Sequence, residues 1–207
     1  VGGTGLYLQA LILGLPEIPK IDSGIREQLV VDAEKNGINY LYGAARTIDP
    51  EATSNVCENN MQRIIRILEV WKGTGRKFSD WQKERVGGIG KMPIFWLQRD
   101  RDILYKRINV RVDQMMRDGW MEEIRGLAKT VPREAPAWLS LGYRELLQAR
   151  TAEDAGSVLE EVKKKTRNYA KRQLTWFRTQ METIAVDLDN EKNPVEFIYN
   201  RMLVNGG

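Results

Sequence analysis

The chain has 207 residues, 42% of them hydrophobic and 29% charged, with a formal net charge of +4, one cysteine and no histidine. That is enough for a packed core of about one domain or slightly more, and the mild positive charge permits an anionic partner without requiring one. Cys57 alone cannot build a disulfide framework, the lack of histidine excludes Ser-His-Asp, Cys-His and His-ligated zinc chemistry within this chain, and no apolar run approaches the ~20 residues of a membrane span.

In chain order, a glycine turn at residues 2–5 enters a helix with Leu6, Gln9, Ala10 and Leu13 at helical spacing and Gly14 to stop it. Residues 15–19 hold Pro16 and Pro19 and read as a linker. Residues 22–46 read as helices, with Asp22 or Ser23 as cap and Gly37 as breaker. Asp49-Pro50-Glu51 places an aspartate cap before a proline at the first helical position. Asn59 or Asn60 caps a further helix running to Gly73. Residues 73–92 are glycine-rich and polar, with a short helix expected over 79–85 and a flexible loop over 87–90.

The apolar run over residues 92–97 reads as a buried strand. A strong amphipathic helix follows from Asp100, with Ile103, Leu104, Ile108, Val112 and Met115 inward and Gly119 at its end. A second helix runs to about Lys129, and Pro132 and Pro136 mark a loop. Residues 138–149 and 152–178 read as helices, 183–188 as a strand and 194–204 as a closing helix. Helix dominates, and there is neither a repeat nor a low-complexity stretch.

Four segments can carry chemistry, and each has a plainer reading. Gly2-Gly3-Thr4-Gly5 lets a ligand approach the backbone beside free helix N–H groups, with the Thr4 hydroxyl at the mouth; otherwise Thr4 is a helix cap. Arg107 and Arg111 lie one turn apart and can clamp phosphate oxygens; otherwise they pair with Asp113 or Asp100 on a solvated face. Residues 163–178 carry seven cations and no acid, interleaved with Tyr169, Trp176 and Phe177, which suits phosphates and stacked bases; otherwise this is a basic outer face whose aromatics sit in the core. Gln62, Arg63 and Arg66 share a helix and suit base-edge or backbone reading; otherwise they are a polar helix face.

Taken together, these segments resemble the tRNA dimethylallyltransferases. The resemblance rests on Val1-Gly2-Gly3-Thr4-Gly5-Leu6-Tyr7, Asp49-Pro50-Glu51-Ala52 and Gln62-Arg63-Ile64-Ile65-Arg66-Ile67-Leu68-Glu69-Val70. It continues through Leu104-Tyr105, residues 107–111, Gly119 and Leu141-Gly142-Tyr143-Arg144-Glu145 to Ala170-Lys171-Arg172-Gln173-Leu174-Thr175-Trp176-Phe177-Arg178. These blocks keep the family's order and spacing across residues 1–178. Cys57-Glu58-Asn59-Asn60 stands where the family has His-Pro-Asn-Asp, and no G-x-x-x-x-G-K-[ST] P-loop is found. The opening on a glycine loop without an initiator Met reads as an interior segment, so the chain is expected to be a piece of the enzyme and inactive by itself.

The resemblance implies an α/β fold: the mostly helical part of a P-loop NTPase-like core with a helical insertion domain. Residues 1–21 would be core, 22–90 an insertion gripping the anticodon stem-loop, and 91–207 core continuation with a basic RNA-binding helix. The implied reaction moves a dimethylallyl group from dimethylallyl pyrophosphate to N6 of an anticodon-loop adenosine. Thr4 and Arg111 would be catalytic, Thr4 at the active-site mouth and Arg111 on the pyrophosphate. Thr4, Arg26, Gln62, Arg63, Arg66, Leu139, Gly142, Tyr143, Arg144, Lys171, Arg172, Gln173, Trp176 and Arg178 would line the tRNA. Mg²⁺ would be held mainly outside this chain, which supplies no metal ligand, and the enzyme would be a cytoplasmic monomer. A related adenylate prenyltransferase would share the core but would not need residues 22–90. A non-catalytic RNA-binding module would leave Thr4 and Arg111 without a role.

Overall fold

The computed structural model describes residues 2–149 and 152–205. The chain divides into two compact units, one formed by Val1–Gly5 with Pro93–Gly207 and the other by Leu6–Met92. The stretch expected as an insertion, 22–90, lies inside the second unit, whose contacts reach back to Leu6 and on to Met92.

The second unit is built on helices that the local sequence caps. After α1 (Gly5–Leu13) comes α2 (Ser23–Asn36), where Asp22 Oδ1 accepts from Gly24 N at 2.7 Å. Gly37, at φ +83°, breaks the chain before α3 (Ile38–Ile48), since a left-handed φ is cheap only for glycine. Asp49 caps α4 (Pro50–Thr53), and Asn60 caps α5 (Met61–Thr74). The two asparagines that sequence leaves open are thereby resolved in favour of Asn60, and α5 runs past Gly73 to a left-handed cap at Gly75. Leu29, Ala33, Leu41, Ala45, Ile64, Ile65, Ile67 and Leu68 of α2, α3 and α5 form one apolar core. Each fully buried Leu or Ile contributes about 1.5–3 kcal/mol.

Two expectations fail in this unit. The segment read as a linker contains β1 (Leu15–Pro16), and the helix expected over 79–85 ends early, as α6 (Phe78–Lys83), so that Arg85 and Val86 form β2 before the expected loop. These strands pair antiparallel, Leu15 with Val86 and Pro16 with Arg85. Gly14 and Gly88 allow the close approach, because a Cβ on either would fall within 2.1–2.5 Å of backbone atoms across the pair. Leu6, Tyr7, Leu11 and Leu13 of α1 remain exposed.

The first unit holds β3 (Phe95–Gln98), α7 (Arg101–Arg117), α8 (Trp120–Leu127), a 3-10 turn (Pro136–Leu139), α9 (Tyr143–Gln148), α10 (Ala152–Gln180), β4 (Ile184–Asp187) and α11 (Pro194–Asn205). β3 and β4 pair in parallel, with Val186 buried at the centre. Asp100 Oδ1 caps α7 through Asp102 N and Ile103 N. Val112, Trp120, Met121, Ile124, Trp138, Leu146 and Val162 form the core of this unit. Ile103, expected inward, is exposed, because the first turn of α7 projects beyond that core. The single helix expected over 138–149 is also broken. The 3-10 turn ends at Leu139 and Gly142, at φ +93°, starts α9 afresh. Its α-carbon lies so close to the Trp120 indole that a Cβ would come within 2.1 Å of the ring. The fold is the mostly helical α/β arrangement expected, with two small two-stranded sheets among the described residues.

Candidate functional site

The loop before α1 docks on the C-terminal part of α10. Gln173 Nε2 donates to the Gly3 carbonyl at 2.7 Å, and Gly5 lies against Trp176 so closely that a Cβ would meet the indole at 2.4 Å. Gln173 and Trp176 are three residues apart, so one helix face serves both contacts. Trp176 is braced edge-on by Phe177 at 5.1 Å between centroids, and Phe177 stacks on Trp96 of β3 at 6.1 Å. Between the two anchored glycines, Thr4 is exposed, and its hydroxyl has no hydrogen-bond partner among the described residues. The helix-cap reading of Thr4 therefore has no bond to rest on, and the hydroxyl is free to meet a ligand. Val1, which opens the same motif, lies outside the described residues.

Arg107 and Arg111 are exposed on α7 and make no ion pair among the described residues. The carboxylates that could have tied them down are engaged elsewhere. Asp100 caps the helix, and Asp113 Oδ1 binds Lys163 Nζ at 2.6 Å. Residues two apart on a helix point about 200° apart, so Asp113 lies on the opposite flank of α7 from Arg111.

The basic stretch of α10 divides into two parts, which corrects the reading of it as uncompensated charge. Lys163 is only 9% exposed and is held by Asp113 and, at 2.7 Å, by Glu160. Lys165 binds Glu145 and Glu161, each at 2.8 Å. These bonds, that to Asp113 first for Lys163 and that to Glu145 first for Lys165, hold both ammonium groups above the usual lysine range. Arg167 Nη1 donates to Asn109 Oδ1 at 2.6 Å. This part of α10 thus packs against α7 and α9 and draws its counter-charges from them and from the preceding turn of α10. Lys164, Lys171, Arg172 and Arg178 are exposed, and the Arg172 guanidinium lies 5.6 Å from the Tyr169 ring.

At the turn into α9, Leu139 and Arg144 are exposed. Gly142 N donates to Glu145 Oε2 at 2.8 Å, and Tyr143 Oη donates to Glu123 Oε1 at 2.5 Å. The bond to Glu123, then burial, pushes the phenol up from its usual value. Burial alone would raise the Glu145 carboxyl, but the bonds from Lys165 and Gly142 outweigh it and hold the group low. Gly142 and Tyr143 therefore shape the turn, while Leu139 and Arg144 face outward from it.

In the unit spanning Leu6–Met92, α2 and α5 bring together Arg26 and Arg66, with Gln62 and Arg63 exposed on α5. Both Arg26 and Arg66 bind Glu69. Glu69 was not among the residues singled out from sequence, although its position three after Arg66 is the spacing of a helical ion pair. No three His, Cys, Asp or Glu side chains cluster as a metal site among the described residues.

Comparison with known proteins bears on the family and the fold. The family described as IPP transferase matches residues 1–180. A tRNA dimethylallyltransferase of Geobacillus thermodenitrificans is 38% identical over 203 residues, which is 95% of this chain and 64% of the relative. One from Christiangramia forsetii is 38% identical over 206 residues, 98% of this chain and 67% of the relative. The chain thus spans about two thirds of the length of these curated relatives. Among solved structures, the full-length tRNA isopentenylpyrophosphate transferase of Bacillus halodurans matches with a TM-score of 0.59 and 30% identity, covering 100% of this chain and 65% of that one. A eukaryotic dimethylallyltransferase acting on tRNA matches in fold, with a TM-score of 0.72 at 23% identity over 100% of this chain and 56% of that one. The fold is that of the mostly helical part of a P-loop NTPase-like core carrying a helical insertion. On the match over residues 1–180 and the identity to these relatives, the chain belongs to the IPP transferase family.

Proposed function

We propose that this chain forms part of an enzyme that transfers a dimethylallyl group from dimethylallyl pyrophosphate to N6 of an anticodon-loop adenosine in tRNA. The observation that carries the reading is the loop over residues 2–5, fastened to α10 at Gly3 and Gly5 with an unpartnered threonine hydroxyl between them. Its support is the activity printed for the relatives, which concerns proteins about half as long again as this chain.

The chemistry explains what such a loop is for. The lone pair of adenosine N6 is delocalised into the ring, so the amine is a weak nucleophile. As N6 bonds to the primary carbon of the dimethylallyl group, the carbon–oxygen bond to diphosphate breaks and one N6 proton must leave. The transition state therefore needs a hydrogen-bonding group at the nucleophile and cations on the departing diphosphate. In this reading Thr4 meets the first need and Arg111 the second, as a planar fork matched to phosphate oxygens. The target base is extruded from the loop to be reached. Lys171, Arg172 and Arg178 on α10, Leu139 before α9 and Arg144 in its first turn, and Arg26, Gln62, Arg63 and Arg66 on the other unit contact the tRNA. Gln173 and Trp176 act through the loop they hold, and Gly142 and Tyr143 through the turn they build. In this reading Mg²⁺ would sit on the donor diphosphate and be held mainly by residues outside this chain; among the described residues no three His, Cys, Asp or Glu side chains cluster. The enzyme is read as a cytoplasmic monomer; no helix among the described residues is long and apolar enough to cross a membrane.

The test is transfer of labelled dimethylallyl from its pyrophosphate to an anticodon stem-loop, using the complete enzyme and, separately, residues 1–207. Label should enter a stem-loop carrying adenosine but not one carrying inosine at the same place, and the isolated chain should transfer none. Transfer to free AMP in preference to the stem-loop would replace this reading with an adenylate prenyltransferase.

A further inference from the structure

Two arginines from different helices converge on one carboxylate oxygen. Glu69 Oε2 accepts from Arg26 Nη1 of α2 at 3.2 Å and from Arg66 Nη1 of α5 at 3.1 Å. Glu69 is 7% exposed, whereas the Arg26 and Arg66 side chains stay 45% and 41% exposed. Each guanidinium carries five N–H donors, and among the described residues only one donor on each is engaged. The buried carboxylate thus fixes the inner corner of both forks and leaves their outer edges open to solvent. One negative charge against two positive ones leaves the cluster cationic, and exposed Arg63 adds to it on the same helix.

The free groups are donors only. The one base edge with two adjacent acceptors, O6 and N7 of guanine, takes a single fork, whereas the two non-bridging oxygens of a phosphodiester are acceptors only and suit two guanidinium forks together. Gln62, exposed one turn before Arg66, carries both a donor and an acceptor and suits a base edge instead. We infer that Glu69 is a positioning residue that sets Arg26 and Arg66 as a two-fork clamp for one backbone phosphodiester of the bound RNA. This rests on the tRNA reading above and divides the work of that face: Arg26 and Arg66 hold the backbone, and Gln62 is left to read bases.

The sign of one substitution separates this role from a plain ion pair. Glu69→Gln removes a negative charge from a surface that binds a polyanion. If Glu69 were a bystander, RNA binding would stay the same or tighten. If it orients the forks, binding weakens although the surface has become more positive. In the complete enzyme, E69Q should raise the KM and Kd for an anticodon stem-loop about tenfold, the equivalent of losing one charged hydrogen bond, with kcat within about twofold. In an Arg26→Ala, Arg66→Ala background the same change should have no further effect on KM, because the groups it acts through are gone. That background should itself show a shallower salt dependence, by about 0.7–0.9 of log–log slope per lost phosphate contact. Unchanged or tighter binding by E69Q, while the arginine variants weaken, overturns the positioning role and leaves the tRNA reading intact. An E69Q effect that persists in the double-arginine background overturns it as well. If the arginine variants and E69Q all leave RNA binding untouched, both the clamp and the RNA assignment of this face fall. Arg26→Lys and Arg66→Lys, which keep the charge without the fork, should weaken binding with the salt slope retained, and full binding by either contradicts the clamp.

Discussion

The side-chain amide of Gln173 donates to the carbonyl of Gly3 at 2.7 Å, so that a helix near the end of the chain holds the loop that carries Thr4 near its beginning. Three residues on, Trp176 closes over Gly5, and the loop has no room to lift there without moving an indole braced by Phe177.

That closeness makes Gly5→Ala informative. The added methyl would overlap the Trp176 ring, and overpacking of this kind costs about 1–3 kcal/mol. The variant should lower the thermal midpoint of the complete enzyme and slow transfer. Combining it with Trp176→Ala should cost less than the two single changes summed, because the second change opens the space the first one fills. Simple additivity, measured by denaturant titration of the four proteins, would mean that the loop is not seated on Trp176.

Lys163 and Lys164 are neighbours in sequence with opposite expected phenotypes. Lys163→Ala strips Asp113 and Glu160 of a largely buried partner and should destabilise the unit by about 1–3 kcal/mol, with little change in the salt dependence of RNA binding. Lys164 is exposed, and Lys164→Ala should leave stability unchanged and flatten the log–log salt dependence by about 0.7–0.9. Salt titrations and melting curves on the two variants distinguish the roles, and a shared phenotype contradicts the division of α10.

Asp49 gives a pH signature. Its side chain is fully buried, and burial alone would raise its pKa, but the bonds from Ala52 N at 3.0 Å and Ser79 N at 2.8 Å, with the Ser79 hydroxyl and Lys77 nearby, outweigh that and hold it below the usual carboxylate value. A folded pKa below the unfolded one contributes stability that is complete above the unfolded pKa, near 3.9, and is lost as pH falls through the folded value. Asp49→Asn should therefore cost about 2 kcal/mol at neutral pH and reduce the acid sensitivity of the unit spanning Leu6–Met92. Equal urea midpoints for the two proteins at pH 7 would remove Asp49 from this role.

Arg111→Lys keeps the charge and loses the fork. Because Asp113 is bound to Lys163 on the other flank of α7, no ion pair is there to be lost. A fall in transfer rate of about 10²-fold, on the scale of one donor to developing charge, with an unchanged melting point, is the expected outcome. Unaltered kinetics would return Arg111 to a solvated surface.

What could be read from the sequence was local. Asp49 was visible as a cap, and Asp22 and Asn60 each as one of two neighbouring candidates, because a cap bonds to its own next turn. Thr4, Gln62 and Arg66 were visible because each sits in a motif. What escaped depended on distant partners. The carboxylates that neutralise Lys163 and Lys165 come partly from α7 and α9, so a window that contains no acid looked uncompensated. The pairing of β1 with β2 joins two-residue strands about 70 residues apart, too short for any alternation to be seen. Helical spacing over 138–149 concealed Gly142, whose left-handed backbone shows only against Trp120. Gln173 and Trp176 were expected to line the tRNA, whereas their side chains hold the loop at Gly3 and Gly5, which a motif does not reveal.

Thr4 carries the central claim, and one variant series tests it. In the complete enzyme, kcat and KM for the stem-loop and the thermal midpoint should be measured together for Thr4→Ala and Thr4→Ser. The hydroxyl is exposed and unpartnered among the described residues, so its removal should leave the midpoint within about 1 °C, lower kcat about 10²-fold and change KM little, with Thr4→Ser restoring most of the rate. A lowered midpoint with kcat preserved would make Thr4 a helix cap after all and contradict its place at the reacting centre.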